Sequence, residues 1–392
     1  MRPRSERGFV LLLDSSPETW GSREELHLRL SIALLAKGRS PVLVFSKALP
    51  DELRERYRRH GVEVTAIDYE RGIWHYFREL RTLIERHSVE TVHIAFFNYF
   101  SLIPWLSRLG GVRHIVFQER NSGVLRARSW RRQLLRVRTL VTTFPVTQVI
   151  AISEYLRRQL AEVGVPESKM TVVYHGVDVD RFRPRAGARE ELAAEVAIGT
   201  EDFLVVSATS LLTWKNPEVA LEACALLAKR GVPIRLLYAG VGPLKDELQE
   251  RCRAMGIADR VHWMGYYRMP ERLFQACDAY LHCSTGEAFG FSLAEAMACG
   301  APVVASRSGA VGELVDDGRT GILATPHDAS SFADALETLC KSPTERREMG
   351  LRGCEKIRQH FTLDCCVENT MRAFDAIWRG REKPSGHGRV PQ

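Results

Sequence analysis

The sequence predicts an α/β protein of two Rossmann-like domains facing across a cleft. Three observations predict it. Strand-like apolar segments alternate with helical patterns, the alternation comes in two runs, and 392 residues suit two domains of ordinary size. The first run has strands at Phe9–Asp14, Pro41–Ser46, Val62–Asp68, Thr91–Phe96, His114–Glu119, Thr147–Ser153 and Thr171–Tyr174. A helix at Arg23–Ala36 follows the first of these. Ser22-Arg-Glu-Glu25 reads as its capping box, and Gly38 stands just past its end. The second run has strands near Leu204–Ala208, Ile234–Ala239, Val261–Met264, Ala279–Cys283, Pro302–Ala305 and Gly321–Ala324. Helices at Pro217–Lys229, Pro243–Met255, Met269–Ala276, Ser292–Cys299 and Ser330–Leu339 separate them. Strands joined by helices of this length form right-handed βαβ units and parallel sheets. The Gly-, Pro- and charge-rich stretch His175–Arg189 is the expected linker. The expected domains are 1–180 and 181–363. A helix at about 364–380 packs back on the first domain, and 381–392 is a disordered tail.

Hydrophobic content of 45% and charged content of 26% fit a globular chain. No apolar run approaches the roughly 18 residues of a membrane span, and the run after Gly8 is too short for a signal peptide. A cytoplasmic protein with reduced thiols is expected. All nine cysteines lie from Cys224 onward, without metal-ligand spacing. Charge is uneven: residues 1–185 carry a net +11 and the remainder −4. Residues 101–150 hold nine Arg and one acid, Glu119. Within them Arg126, Arg128, Arg131, Arg132 and Arg136 interleave with Trp130, Leu134, Leu135, Val137 and Leu140. Such a basic amphipathic helix suits an anionic membrane surface or an anionic acceptor, or is simply a solvated face over an ordinary core. No nucleic-acid partner is expected.

The frame Glu287-Ala-Phe-Gly-Phe-Ser-Leu-Ala-Glu295 carries the chemistry. Two carboxylates able to accept from hydroxyls flank a turn that opens a helix, whose free N–H groups suit an anion. Ser292 and Glu295 also read as a capping box, and Glu287 as a loop acid contributing little to stability. Ser210-Leu-Leu-Thr-Trp-Lys-Asn-Pro217 is a second helix start, with Asn216 as N-cap and Pro217 at the first helical position. Lys215 beside that positive helix end is favourable once a phosphate sits there. Rival chemistries lack their signatures. In Gly240-Val-Gly-Pro-Leu-Lys245 the third glycine of a dinucleotide fingerprint is replaced by Lys245, and no phosphate loop or nucleophile elbow is present.

From Thr171 to Leu339 these motifs resemble the retaining, nucleotide-sugar-dependent glycosyltransferases of family 4, which have the GT-B fold. Val173-Tyr-His-Gly-Val-Asp-Val-Asp-Arg-Phe182 stands for the family's interdomain segment. Gly240–Leu244, Val261–Gly265, Cys277–Ser284, the Glu287/Glu295 frame, Ser308–Glu313 and Asp317–Gly321 follow in family order. The resemblance implies roles. Glu287 holds donor sugar hydroxyls, and Phe289, Gly290, Phe291 and Ser292 shape the sugar and phosphate pocket. Glu295 holds the ribose, and Lys215 neutralises the diphosphate. Met264 and Gly265 lie near the base, and Gly21 stands in the small-residue loop near the donor phosphates. A UDP- or GDP-linked co-substrate and no metal or further cofactor are implied, with a glycan or lipid-linked acceptor. Two positions depart from the family: Ser210 replaces an Arg, and Gln118-Glu119 stands where a His is common, leaving that role to Glu119, His93 or another group. A catalytically weak nucleotide-sugar-binding protein, and a phosphorylase or epimerase of the same fold, remain alternatives.

Overall fold

The computed structural model describes residues 7–97, 101–120, 129–196, 198–199 and 201–380, with the backbone alone at 69 and 129–135. The chain divides into two units, one of residues 1–176 and 363–392, the other of 177–362.

Unit 1 runs β1 (Arg7–Leu13), α1 (Ser22–Ala36), β2 (Arg39–Phe45), α2 (Asp51–Arg58), β3 (Glu63–Ala66), α3 (Ile73–Arg86), β4 (Val89–Ala95), α4 (Ile103–Leu109), β5 (His114–Glu119), α5 (Ser129–Thr143), β6 (Gln148–Ala151), α6 (Glu154–Glu162) and β7 (Met170–Val172). Its seven strands lie in the order β3-β2-β1-β4-β5-β6-β7, all parallel. A parallel sheet covered on both faces needs strands apolar throughout. Gly-Phe-Val-Leu-Leu-Leu meets that need, and Phe9 to Leu13 are buried without alternation.

Unit 2 runs α7 (Ala188–Glu195), β8 (Phe203–Ala208), α8 (Pro217–Lys229), β9 (Ile234–Ala239), α9 (Lys245–Ala254), β10 (Val261–Gly265), α10 (Pro270–Ala276), β11 (Ala279–His282), α11 (Phe291–Ala298), β12 (Val303–Ser306), α12 (Val311–Leu314), β13 (Ile322–Ala324), α13 (Ala329–Lys341) and α14 (Pro343–His360). Its six parallel strands lie in the order β10-β9-β8-β11-β12-β13. In each sheet the strand order reverses direction, between β1 and β4 and between β8 and β11. At such a switch point two successive helices leave on opposite sides and open a crevice at the C-terminal strand ends.

The last helix, α15 (Leu363–Trp378), belongs to unit 1. Phe374 meets Phe9 with ring centroids 5.1 Å apart, and Trp378 donates from Nε1 to the Thr91 hydroxyl at 3.0 Å. The Arg39 guanidinium lies 4.0 Å from the centroid of the Trp378 ring. The chain leaves unit 1 after Gly176, so Val177–Asp180, placed in the first domain by the sequence reading, lie in unit 2. No helix of the described residues is long and apolar enough to cross a membrane.

Local helix starts differ from the sequence reading. Gly21, not Ser22, caps α1, and its N–H donates to Glu24 Oε2 at 3.0 Å. Glu25 instead accepts from Trp20 Nε1 at 3.1 Å and from Arg29 Nε at 3.0 Å. Gly21 with Glu24 therefore makes the cap one residue earlier than Ser22 with Glu25.

Candidate functional site

The Glu287/Lys215 constellation sits at the C-terminal edge of the unit 2 sheet, beside the switch point. Lys215 ends a tight turn, Thr213–Lys215, between β8 and α8. Glu287 lies between β11 and α11. The two loops are tied together: Thr285 donates from its backbone N and its hydroxyl to the Trp214 carbonyl at 2.9 and 3.1 Å. Across this join Lys215 Nζ donates to Glu287 Oε1 at 2.6 Å. Their side chains are only 15% and 10% exposed. Lys215 Nζ also stands 4.0 Å from the Trp214 ring centroid, a cation–π position. His282, fully buried at the end of β11, sets Nε2 3.4 Å from the same Oε1. Burial opposes ionisation of Glu287, but His282 and Lys215 outweigh it and hold the carboxyl well below its ordinary range. Glu287 is thus a buried, paired acid rather than a loop acid of little structural weight, and Lys215 is not a free cation waiting beside a helix.

Gly309 makes this placement possible. Its φ is +59°, and a Cβ there would lie 2.4 Å from the Glu287 carbonyl oxygen and 2.6 Å from its nitrogen. Only glycine lets the loop after β12 press on the Glu287 backbone, where Ala310 N–H donates to Glu287 O at 2.9 Å.

Helix α11 begins at Phe291, with Gly290 as N-cap at φ +98°. Ser292 is therefore inside the first turn and caps nothing. Its hydroxyl exchanges a 2.8 Å hydrogen bond with the Tyr280 hydroxyl, which also donates to the Ala208 carbonyl at 3.2 Å. Glu295 is correspondingly too deep in the helix to close a capping box. Burial pushes its carboxyl up to about 8, against the pull of Arg181 and with the push of Glu271 and Asp178. Asn216 occupies the N-cap position of α8 at φ +55°, but its side chain makes no capping bond. Its Nδ2 is buried and without a partner among the described residues. Phe289 is buried, with its ring 5.3 Å from that of Phe291, which is 39% exposed. Ser210 is exposed just past β8. Met264 and Gly265 end β10, which β9 separates from β8, and Gly265 O accepts from Gly240 N–H at 2.8 Å.

Three further expectations fall in unit 1. Gly21 caps α1. Glu119 ends β5, is buried, and gives Oε1 to the Arg120 backbone N–H at 2.9 Å. Lys215 and Glu287 meet within unit 2. Of the basic-helix residues, Arg126 and Arg128 lie outside the described residues, as do the side chains of Arg131 and Arg132. Arg136 is exposed on α5. Sequence reasoning missed His282, which reads as one polar position closing an apolar strand. It also missed the Tyr280–Ser292 pair and Trp214, whose ring backs the lysine.

The family model described as "Glycosyl transferases group 1" matches residues 188–355, and that described as "Glycosyltransferase Family 4" matches 26–181. A D-inositol 3-phosphate glycosyltransferase of Rhodococcus erythropolis is 33% identical over 224 residues, 54% of this chain and 50% of that protein. The match thus spans about half of that relative's length. A GDP-mannose-dependent phosphatidylinositol monomannoside mannosyltransferase of Mycolicibacterium smegmatis is 28% identical over 73% of this chain and 75% of its own. Among solved structures, Anabaena HepE in complex with UDP and glucose superposes with a TM-score of 0.77 at 19% identity, over 94% of this chain and 99% of that one. Sucrose-phosphate synthase of Thermosynechococcus elongatus superposes with the same score and identity over 96% and 100%. Two glycosyltransferase models fall on successive stretches of a chain whose sheets and loops meet their expectations, and the chain belongs to the family 4, group 1 glycosyltransferases of GT-B fold.

Proposed function

We propose that this chain moves a hexose or N-acetylhexosamine from a UDP- or GDP-linked nucleotide-sugar to a glycan or lipid-linked acceptor, retaining the anomeric configuration and using no metal ion. The Lys215–Glu287 pair at the start of α8 and α11 carries the reading. A diphosphate beside Lys215 takes over the partner that Glu287 now supplies, and the freed carboxylate accepts from sugar hydroxyls. The pair keeps both charges matched before the donor arrives. In the reaction the bond between the anomeric carbon and the diphosphate oxygen breaks. A bond to the acceptor oxygen forms, and the acceptor proton is released. Lys215 and the helix starts stabilise the departing charge. The buried Asn216 amide adds an unfilled donor beside them. The relatives named for GDP-mannose and for inositol phosphate or phosphatidylinositol mannoside support a nucleotide-sugar donor and a phosphorylated or lipid-linked acceptor. The exposed Ser210, where the family pattern has Arg, favours a second reading as a nucleotide-sugar-binding protein with little turnover.

A lipid-linked acceptor would bring the chain to the cytoplasmic face of a membrane as a peripheral protein. Val137, Leu140 and Val141 of α5, with Phe144 just past its end, follow helical spacing, are 53–74% exposed, and form an apolar stripe beside exposed Arg136 and Arg138. Phe144 stacks on Trp105 of α4 at 5.7 Å. This is an amphipathic face for anionic lipid. Changing Leu140, Val141 and Phe144 together to Ser should abolish sedimentation with phosphatidylglycerol vesicles, and undiminished binding would remove the membrane reading.

The deciding experiment is thermal stabilisation by a panel of nucleotide-sugars in EDTA, followed by sugar release from the donor that binds. Stabilisation by one donor class, lost in Lys215→Ala, is expected. No stabilisation by any donor, with or without vesicles, defeats the transferase reading. Binding without sugar release or transfer selects the second one.

A further inference from the structure

We propose that His282 is a positioning residue for the Glu287 carboxylate, a donor held in reserve that takes over Glu287 Oε1 when a diphosphate draws Lys215 away. Two donors converge on that one oxygen. Lys215 Nζ holds it at 2.6 Å. His282 Nε2 stands off at 3.4 Å, and neither ring nitrogen of His282 has a hydrogen-bond partner among the described residues. The ring is 1% exposed, so bulk water does not serve it. A buried imidazole N–H without an acceptor is costly, and the oxygen it faces is already occupied at rest.

The strand fixes this ring. His282 ends β11, an inner strand of its sheet, in register with Ala305 of β12. Tyr280, two residues earlier, is on the same face of the strand. Its ring stacks on the imidazole with centroids 6.2 Å apart and planes 29° apart. The Tyr280 hydroxyl is itself tied to the Ser292 hydroxyl and the Ala208 carbonyl. Lys215 differs: it ends a short turn and reaches Oε1 along a flexible four-carbon side chain. Of the two donors, the lysine is the one able to move and the histidine the one able to stay.

The role follows from charge. Burial opposes ionisation of Glu287, and His282 and Lys215 together hold its carboxyl well below the ordinary range. Once a diphosphate takes Lys215, Glu287 is a buried carboxylate without its cation, a costly state. The reserve N–H closing on Oε1 offsets part of that cost, keeps the carboxylate aimed, and leaves Oε2 for sugar hydroxyls. The role in donor binding rests on the transferase reading, whereas the reserve contact rests on unit 2 alone.

Two measurements on the full chain test this. The first needs no ligand: urea denaturation of His282→Leu, alone and combined with Lys215→Met. With Lys215 present the His282 N–H is unspent, and with Lys215 gone it is the remaining donor to Oε1. His282→Leu should therefore lower the midpoint further in the Lys215→Met background than in the native one. His282→Gln, whose amide N–H extends as far as Nε2, should reverse that extra loss. Equal drops in the two backgrounds overturn the proposal. The second is calorimetric titration with UDP, GDP, UDP-glucose and GDP-mannose. For whichever of them binds, His282→Leu should weaken binding about tenfold or more, the weight of a hydrogen bond to a charged group. In a Glu287→Gln background the same change should have no effect, because no charge is left to hold. A loss of equal size in both backgrounds marks a packing role and overturns the proposal, as does unchanged binding. If His282→Leu fails to fold, His282→Asn, whose shorter amide stands where Nδ1 is, carries both measurements. If none of the four ligands binds the native chain, the transferase reading falls and the urea comparison decides alone.

Discussion

The two sheets share a topology and place charged groups at the same edge, yet their electrostatic states are opposite. In unit 2 the cation of that edge, Lys215, is matched by Glu287 and backed by Trp214. In unit 1 the cation, Arg120, has the Phe96 ring face and the Gln118 amide oxygen but no carboxylate among the described residues. A matched pair contributes to the resting fold and must be parted before it serves a ligand. An unmatched buried charge contributes little or is unfavourable at rest and gains most when an anion arrives. The same fold therefore holds one buried cation that is matched at rest and one that, among the described residues, is not.

The sharpest way to break this contrast is stability. Glu287→Leu or Lys215→Met should each lose about 3 kcal/mol in urea denaturation, because each leaves a buried partner uncompensated. The double change should recover most of it, since two apolar side chains replace the pair. Single losses below about 1 kcal/mol would show that the pair is solvent-screened and contributes little. Next comes Glu295, whose folded pKa of about 8 lies above the ordinary 4.5. A raised carboxyl pKa gives stability that is fully present below about pH 4.5 and is lost as pH rises through 8. Glu295→Gln should keep the neutral form throughout, so its melting temperature should fall less than that of the native chain between pH 5 and pH 9. Equal falls would place the carboxyl in solvent. Ser292→Ala removes a hydrogen bond to Tyr280 and no cap, and should cost about 1 kcal/mol. Two or more would restore the capping assignment. Smallest of all, Arg120→Met should leave stability within about 1 kcal/mol of the native chain or raise it. A large loss would mean that Arg120 is matched at rest after all.

The fold was highly legible. The central strands were readable because strands buried on both faces are apolar throughout, as at Phe9–Leu13 and Val303–Ala305, and the half-exposed edge strands, such as Glu63–Ala66, were readable from their place in the alternation with helices. The Glu287/Glu295 frame and Lys215 were readable as residues but not as a pair. They are 72 positions apart, and only the tie between Thr285 and Trp214 brings them together. The cap at Ser292 was misread because Gly290, at positive φ, starts the helix two residues early, and local pattern cannot weigh a left-handed glycine against a serine. His282 escaped notice because a single imidazole in an apolar strand carries no periodic signal. Its importance comes from the pair it faces, whose lysine lies far along the chain.

The return of α15 to unit 1 bears on how the molecule is made. Unit 2 is an insertion whose first and last residues meet at the Val177–Thr362 bridge, where Val177 N–H donates to Phe361 O at 2.8 Å. During synthesis unit 2 can close as a complete body, but unit 1 cannot. Phe9 and Thr91 wait for Phe374 and Trp378, which leave the ribosome more than 280 residues after Thr91 and more than 360 after Phe9. A nascent chain stopped at Thr362 therefore shows a finished second half and a first half with an open apolar seam, the form that chaperones hold and proteases find.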